Sequence, residues 1–219
     1  MRIDILTLFP EQIMEWFSHS ILKRARNNKS LEVRAWNMRD WGLGRHNQVD
    51  DTPYGGGAGM LLKVDVVAPA IKAVSKKSRV KPKIILLTPQ GRRLTQEVVE
   101  ELTQEPRLLL VAGHYEGFDE RIRSYVDDQI SLGDFVLTGG EVAAVALTDA
   151  VARLVPGVLD ESSPTEESHS LQDEDGNRLL EYPQYTKPET YDKKSVPDIL
   201  LSGNHAAIAR WRRENSRPQ

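Results

Sequence analysis

The feature that most constrains this chain is a series of glycine-containing segments that follow apolar, strand-like runs. "LLTPQGRR" (86–93) continues from "KIILLT", and "VAGHYEGFDER" (111–121) continues from "RLLLVAG". "SLGDFVLTGGE" (131–141) has too many glycines for a strand and too many apolar residues for a plain surface loop. Glycine permits a positive φ angle and the close approach of a ligand. Because open α/β sheets bind ligands at the carboxyl ends of their strands, we expect these segments to form one binding site.

Strand-like and helix-like patterns alternate over residues 1–155. The strand-like runs have the composition of strands buried on both faces of a parallel sheet, and lie at 3–9, 31–36, 83–88 and 107–113. Apolar residues at helical spacing predict helices at 11–27, 64–77, 94–104, 118–126 and 141–157. The pattern therefore predicts an α/β fold, with helices covering a mostly parallel sheet.

Composition divides the chain into three parts. Residues 1–158 carry the alternating pattern and are predicted to form the ligand-binding domain. Residues 159–180 are polar, acidic and without a period, which is typical of a linker. Residues 181–219 contain two short helix patterns, at 196–202 and 204–214, and are predicted to form a small helical domain.

Charge and composition exclude several classes of protein. The formal net charge of -3 does not point to a nucleic-acid partner, although basic clusters occur at 23–29, 76–83 and 209–215. The absence of cysteine excludes disulfides and thiolate metal sites and fits a reducing compartment. No apolar run approaches the roughly 20 residues of a membrane-spanning helix, and the N-terminus does not have the pattern of a signal peptide. We therefore expect a cytoplasmic protein without a membrane partner.

The familiar nucleotide-binding motifs are missing. No G-x-x-x-x-G-K-[ST] occurs, and "GGGAGM" (55–60) has Met60 where a dinucleotide-binding motif needs its last glycine. Glycine-rich loops with apolar side chains and no phosphate-binding lysine suit a flat, neutral heterocycle. An adenosyl group without phosphates fits this description, so the segments favour S-adenosylmethionine as the ligand. The alternative is that they are merely tight loops.

Seven blocks of sequence carry a resemblance to a known family. They are "PYGGGAGM", "TPQGRR", "GHYEGFDER", "SLGDFVLTGGE", "DAVARLVPGVL", "EYPQYTKPE" and "LLSGNHAAIARWR". In this order they closely resemble the bacterial tRNA (guanine-N1-)-methyltransferases of the SPOUT superfamily, which modify guanosine 37. The resemblance implies a knotted parallel sheet (a deep trefoil knot) with a small C-terminal helical domain. It also implies a homodimer whose active sites are shared between subunits.

The resemblance assigns the methyl donor, S-adenosylmethionine, to residues of the three glycine-containing segments. The residues are Leu87, Thr88, Pro89, Gly113, Tyr115, Glu116, Leu132, Gly133, Asp134, Phe135, Val136, Leu137, Gly139 and Gly140. Glu116 has an alternative role as the carboxylate that caps the helix at 118–126. His114 is expected to be a pocket wall.

Methylation of guanine N1 needs a base for the N1 proton and a cation near O6, where negative charge develops. By resemblance the cation is Arg153, which would otherwise be an ordinary surface arginine at a helix end. The base is predicted to be Glu167, at a position where the family has aspartate. Under another alignment Asp173 or Asp175 takes this role, and the alternative is a solvated acidic linker.

The resemblance also implies contacts with tRNA. Asp50 would touch the anticodon region, and Arg210, Arg212 and Arg213 would contact phosphates, which fix position without reading sequence. Mg²⁺ enters by resemblance only, because the sequence shows no metal-ligand spacing. Two other functions remain open: another knotted methyltransferase, acting on a ribose 2′-oxygen or a different base, and a non-catalytic RNA-binding protein.

Overall fold

The structure, a computed structural model, describes residues 1–159, 168–173 and 175–218. The chain forms two compact units, Met1–Leu159 and Asp160–Gln219. The strands of the first unit are β1 (Arg2–Thr7), β2 (Glu32–Asn37), β3 (Asp50–Asp51), β4 (Leu61–Leu62), β5 (Lys83–Arg93), β6 (Arg107–Ala112) and β7 (Asp128–Ser131). Its α-helices are α1 (Pro10–Trp16), α2 (Ser20–Asn27), α3 (Val64–Ser75), α4 (Gln96–Thr103) and α5 (Glu141–Leu154). Short 3-10 helices span Met38–Trp41 and Glu120–Tyr125.

The central sheet has five strands in the order β2-β1-β6-β5-β7, and every pairing in it is parallel. Side chains alternate between its faces, as the pleat requires. Ile3 and Ile5 of β1 pack in one core, whereas Leu6 packs in the other. The first core includes buried residues of α1, α2, α4 and α5, and the second includes those of α3. The predicted α/β fold with a parallel sheet is confirmed.

Three elements of the first unit differ most clearly from the sequence prediction. The helix predicted over 11–27 is two helices, because the backbone N–H and the hydroxyl of Ser18 both donate to the carbonyl of Glu15 and end α1. The helix predicted over 118–126 is the 3-10 helix Glu120–Tyr125. The strand predicted over 83–88 extends to Arg93.

The extension of β5 contains a break in its register. Leu87 pairs with Ile130 of β7, and after the break Arg92 pairs with the same residue. The intervening residues 88–91 leave the ladder and return to it, so they form a detour in the strand. A Cβ atom on Gly91 would lie 2.5 Å from the carbonyl carbon of Gln129, so the detour packs too closely on β7 for a larger residue.

The second unit contains small elements of both kinds. Its strands are β8 (Leu179–Leu180), β9 (Thr190–Tyr191), β10 (Lys194–Ser195) and β11 (Arg217–Pro218), and its helices are α6 (Asp198–Leu201) and α7 (His205–Asn215). The side chain of Asn204 caps α7 by accepting from the backbone N–H of Ala207 at 3.1 Å.

Residues 168–173 and 175–180 of the predicted linker belong to this second unit and are not extended. The N–H of His169 donates to Leu179, and that of Leu179 donates to Leu171, both at 2.8 Å. Gln172 and Arg178 form an antiparallel bridge. Asp173 closes the turn between them by accepting from the N–H of Asn177 at 2.7 Å. Aspartate, glycine and asparagine are typical turn residues, and all three occur in "DEDGN" (173–177). The acidic composition of the segment led instead to the prediction of a linker.

Candidate functional site

A cavity of about 160 Å³, partly open to solvent, lies at the carboxyl ends of β6 and β7 and beside the detour of β5. All three glycine-containing segments contribute to its wall. The predicted donor residues that line it are Leu87, Thr88, Pro89, Gly113, Tyr115, Glu116, Leu132, Phe135, Val136, Leu137, Gly139 and Gly140. The structure therefore brings these residues together from three separate parts of the chain.

Gly133 and Asp134 do not line this cavity. The hydroxyl of Ser131 donates to the carbonyl of Gly133 at 2.9 Å, which makes a tight turn after β7. Asp134 is exposed and forms an ion pair with Arg93 at the end of β5. Their place in the structure is therefore to shape the loop rather than to form the wall.

The wall also contains residues that the sequence did not assign to the donor. They are His114, Gly117, Phe118, Ile130, Ser131, Thr138 and Ala143. Most are direct neighbours of assigned residues, so the segment boundaries alone would have included them. Ala143 is different, because it lies in the first turn of α5, and only the small residues of "EVAAVA" signalled a close approach there.

Two glycines let the loops approach each other. The N–H of Gly140 donates to the carbonyl of Gly113 at 2.7 Å, joining the loop before α5 to the end of β6. A Cβ atom on Gly140 would lie 2.6 Å from the nitrogen of Gly113 and 2.9 Å from the Cα atom of Ala112. Both neighbours are backbone atoms of a buried strand end and cannot move aside easily. Glycine is therefore required at position 140 by packing.

Glu116 is held by the backbone of a neighbouring loop. Its N–H donates to the carbonyl of Met60 at 3.0 Å, and a Cβ atom on Gly59 would collide with its side chain. Glu116 does not cap the following helix, because the side chain of Asp119 accepts from the N–H of Arg121 at 2.9 Å in that position. The alternative capping role for Glu116 is therefore wrong. The hydrogen bonds that the Arg121 guanidinium donates to Asp119 lower the pKa of the Asp119 carboxyl.

The glycine-rich loop at 52–60 is connected to the cavity through these contacts. The pair β3 and β4 forms its base, where Asp50 lies opposite Leu62. The N–H of Leu62 donates to Gly117 at 2.8 Å, so the base of the loop is joined to the cavity wall. Tyr54, within the loop, is fully exposed. Asp50 therefore lies at the foot of a loop that projects an aromatic ring into solvent.

The cavity wall has few charged groups. Among the residues that the structure describes, its ionisable side chains are those of His114, Tyr115 and Glu116, and no lysine or arginine lines it. Its hydrogen-bonding capacity comes largely from the backbone of glycine-containing loops. Such a wall suits an uncharged or cationic ligand with a flat ring, and it is unsuited to a phosphate.

Arg153 lies far from this cavity within the same chain. It is in the last turn of α5 and is half-buried, whereas Glu141 begins the same helix beside the cavity. Twelve residues separate them, and at the rise of an α-helix this is about 18 Å. The single chain therefore does not bring Arg153 to the wall that its own glycine loops form.

The remaining predicted residues have sequence positions within the second unit. Glu167 lies outside the described residues. Asp173 accepts from Asn177 and from the N–H of Asp175, and these hydrogen bonds, first that of the Asn177 side chain, lower the pKa of its carboxyl. Asp175 is exposed in the same turn.

The three predicted phosphate-binding arginines lie on α7. Arg210, Arg212 and Arg213 are all exposed, and the guanidinium of Arg212 lies 4.9 Å from the ring centre of Tyr182. This stacking holds the Arg212 side chain on an aromatic face. The helix thus presents a basic surface to solvent.

The described residues contain neither a metal-ligand cluster nor a membrane-spanning helix. No group of three or more histidine, aspartate or glutamate side chains is arranged to hold a metal ion within the described ranges. Over those same ranges, no helix has both the length and the apolar character needed to cross a membrane.

Comparison with known proteins gives consistent results. The family model described as tRNA (Guanine-1)-methyltransferase TrmD matches residues 1–219. The tRNA (guanine-N(1)-)-methyltransferase of Chloroflexus aurantiacus is 53% identical over 214 residues, which is 97% of this chain and 82% of the relative. That of Dehalococcoides mccartyi (strain CBDB1) is 51% identical over 218 residues, 99% of this chain and 86% of the relative.

A solved structure is similar over nearly the whole chain. The crystal structure of a tRNA (m1G37) methyltransferase from Aquifex aeolicus superposes with a TM-score of 0.80 at 38% identity, covering 96% of this chain and 87% of the other. The sequence matches and this likeness agree with each other and with the resemblance of the seven sequence blocks. The chain belongs to the tRNA (guanine-1)-methyltransferase TrmD family.

Proposed function

We propose that this chain methylates N1 of guanosine 37 in tRNA, with S-adenosylmethionine as the methyl donor. The observation that carries the proposal is the cavity, in which three glycine-containing segments converge without a lysine or arginine among the described lining residues. A methyltransferase of this family requires such a donor, and the wall fits it. Backbone groups near Gly113 and Gly139 offer hydrogen bonds to the edge of an adenine ring, and Leu87 and Leu137 offer apolar contacts to its faces.

The donor, when bound, would supply a methyl group on a sulfonium: guanine N1 would attack the methyl carbon in line, and S-adenosylhomocysteine would leave as the carbon–sulfur bond breaks. The chain's own task is to remove the N1 proton and to stabilise the negative charge that spreads towards O6. Glu167 is the proposed base for this proton. Arg153 is the proposed cation near O6, since a guanidinium donates hydrogen bonds to an oxygen that becomes anionic.

Asp173 is less suited to act as the base than Glu167. Its two carboxylate oxygens already accept hydrogen bonds that close the turn at 173–177, and its pKa is lowered as a result. A carboxylate with a lowered pKa takes up a proton less readily at neutral pH. Asp175 lies in the same turn and is the remaining alternative.

We further propose a homodimer with shared active sites. Arg153 lies about 18 Å along α5 from the start of that helix at the cavity, so a site that uses both needs a second copy of the chain. Several large apolar side chains near the cavity are also exposed in the single chain, including Phe135, Val136 and Val142. Burial of such side chains against a partner is favourable.

The finer features of the fold follow the same family. We propose that the segments around the cavity form a deep trefoil knot, and that residues 181–219 are a small tRNA-binding domain, built around α6 and α7, that follows the acidic segment 159–180. The tight contacts of Gly140 with Gly113, and of Gly91 with Gln129, support loops that are wrapped closely around each other. Asp50, Arg210, Arg212 and Arg213 are the proposed tRNA contacts. We propose a cytoplasmic location, in keeping with a tRNA substrate, and Mg²⁺ dependence rests on the resemblance alone.

Methyl transfer to two tRNA transcripts tests the proposal directly. Both are unmodified and identical except that one carries guanosine and the other adenosine at position 37. With labelled S-adenosylmethionine we expect label in the first transcript only, in a nucleoside that co-migrates with 1-methylguanosine. Label in both transcripts would instead support a different target, and label in 2′-O-methylated nucleosides would support the ribose. If neither transcript is labelled while the chain still binds the donor, the non-catalytic RNA-binding function gains support.

A further inference from the structure

A buried group of polar side chains lies directly behind the cavity wall. Glu141, the first residue of α5, is only 6% exposed, and its Oε1 accepts a hydrogen bond from the hydroxyl of Thr7 at 2.8 Å. Thr7 is fully buried at the end of β1. The same hydroxyl accepts from the N–H of Phe9 at 3.0 Å, so its single hydrogen is directed to Glu141. Oε1 of Glu141 is therefore fixed as a hydrogen-bond acceptor.

The second carboxylate oxygen of Glu141 faces the ring of His114. Oε2 lies 3.6 Å from Nδ1 of His114, and no other ionisable group forms an ion pair with Glu141 in the described part of the chain. Nδ1 is buried and has no hydrogen-bond partner within the described residues. A small movement of the ring would convert this approach into a hydrogen bond from Nδ1–H to the carboxylate. A buried nitrogen without a partner is costly, which favours that movement.

The ring of His114 is held from its other sides. Its centroid lies 5.2 Å from that of Phe9 and 5.3 Å from that of Tyr115, both in edge-to-face arrangements. A Cβ atom on Gly139 would lie 2.6 Å from Nδ1 and would also collide with the Glu141 carboxylate, so glycine at 139 leaves room for the pair. His114 itself lines the cavity. Because Nδ1 is buried beside Glu141, Nε2 is the nitrogen left for a ligand.

We propose that Glu141 is a positioning residue that keeps the proton of His114 on Nδ1, so that Nε2 offers a hydrogen-bond acceptor to the bound methyl donor. A carboxylate accepts hydrogen bonds only, and a histidine beside it carries its proton on the facing nitrogen. The other nitrogen then presents a lone pair, which suits a hydroxyl or ammonium hydrogen of the donor. This inference rests on the proposed use of the cavity for S-adenosylmethionine.

The variant Glu141→Gln tests the inference because it keeps the shape and reverses the hydrogen bond. The glutamine carbonyl can still accept from Thr7, which directs its NH₂ group towards His114. An NH₂ group donates to Nδ1 and so forces the proton onto Nε2. The cavity would then present Nε2–H to the bound ligand. Two hydrogen-bond donors, Nε2–H and the hydroxyl or ammonium group of the ligand, would face each other. We expect the affinity for S-adenosylhomocysteine, the probe used, to fall about tenfold.

Two measurements read this change without any methyl transfer. Nitrogen-15 NMR of histidine-labelled protein at pH 8 reports which ring nitrogen carries the proton, and the spectrum of His114→Gln identifies the His114 signals. We expect Nδ1–H in the parent chain and Nε2–H in Glu141→Gln. Calorimetry with S-adenosylhomocysteine gives the affinities. The control is Thr7→Val, which loosens the same group but keeps the carboxylate, and should keep Nδ1–H and bind the probe within about threefold of the parent.

The inference is overturned if His114 of the parent chain carries its proton on Nε2. It is also overturned if Glu141→Gln leaves the tautomer unchanged, or if Thr7→Val weakens probe binding as much as Glu141→Gln does, since general loosening would then explain the loss. A chain that meets every expectation here but methylates no tRNA contradicts the proposed function alone. If the parent chain methylates guanosine 37 but His114 keeps the same tautomer in Glu141→Gln, only this inference is contradicted.

Discussion

Single residues determine both the shape of the cavity and the assignment of the base. Gly140 is the clearest case for shape, because its missing side chain lets the loop before α5 reach the backbone of Gly113. The acidic residues of 167–175 are the clearest case for chemistry, because composition makes them look equivalent, whereas the structure shows Asp173 engaged in a turn.

We expect Gly140→Ala to destabilise the protein by about 1–3 kcal/mol, because its Cβ atom would collide with fixed backbone. Binding of S-adenosylhomocysteine should weaken by about tenfold or more as the wall is displaced. Gly133→Ala is the matched control for stability, since the atoms nearest to its Cβ atom would be those of the Phe135 ring, which is half-exposed and can rotate away. Thermal unfolding and calorimetry measure both effects. If the two variants lost the same free energy of unfolding, the packing around position 140 would be looser than the structure shows.

We expect Glu167→Gln to lower kcat by about a hundredfold or more, as the loss of a general base does. Asp173→Asn should change kcat by no more than about threefold, because that carboxylate is occupied by the turn. Affinity for S-adenosylhomocysteine should stay unchanged in both variants, which separates chemistry from binding. A large loss in Asp173→Asn alone, with the turn intact, would transfer the role of base to Asp173.

At the scale of secondary-structure elements, a cluster of charges ties α4 to two strands of the sheet. Arg92 of β5 donates to Asp128 of β7 at 2.6 Å and to Glu101 of α4 at 2.9 Å, and Lys83 lies 2.7 Å from Glu101. The hydrogen bonds from Arg92 and then Lys83 lower the pKa of Glu101 to about 2 from its ordinary value of 4.5. The cluster lies beside the register break of β5, so it stabilises the return of the strand after the detour.

A double-mutant cycle with Arg92→Gln and Glu101→Gln measures this pair. Glu101 has a folded pKa below its unfolded one, so its contribution to stability is present above about pH 4.5 and is lost as the pH falls towards about 2. Because its side chain is 46% exposed, we expect a coupling of only about 0.5 kcal/mol at pH 7. Denaturant unfolding of the four variants at pH 7 and pH 3.5 measures how the coupling free energy changes with pH. A coupling that is larger at pH 3.5 than at pH 7 would contradict the lowered pKa of Glu101.

At the scale of the whole molecule, the distance along α5 leads to the prediction of a composite site. We expect Arg153→Ala to lose methyl transfer. We expect Gly140→Leu to lose it as well, because its cavity no longer binds S-adenosylmethionine. Mixed and allowed to exchange subunits, the two inactive variants should recover about one quarter of the parent activity. In a mixed dimer one cavity is intact and receives the intact arginine of the other subunit. The control is each variant mixed with itself, and a mixture that stays inactive although subunits exchange would place both groups in one chain.

The sequence predicted most of the sheet and the location of the cavity, because both depend on local patterns. Short apolar runs identify strands, and glycine after a strand identifies the ligand-binding edge, as at Gly113. Two kinds of feature were missed. The break between α1 and α2 depends on hydrogen bonds of Ser18 that do not interrupt the apolar period.

The contact of Glu141 with Thr7 was missed for a different reason. It joins residues 134 positions apart, and only the threading of the chain brings them together. No periodicity in the sequence records such a pair. The register break in β5 was missed in the same way, since it exists only relative to β7.

The detour of β5 has a consequence for the discovery of inhibitors. Thr88 and Pro89 of the detour form part of the cavity wall, and ladder pairs hold the strand on both sides of it, at Leu87 and at Arg92 and Arg93. The movement of this part of the wall is restricted, because the strand is paired in the sheet at both ends of the detour. A competitor must therefore match the contour of that wall as it stands, and rigid molecules with a flat core should succeed more often than flexible ones. Chemical libraries for this target are best chosen by shape.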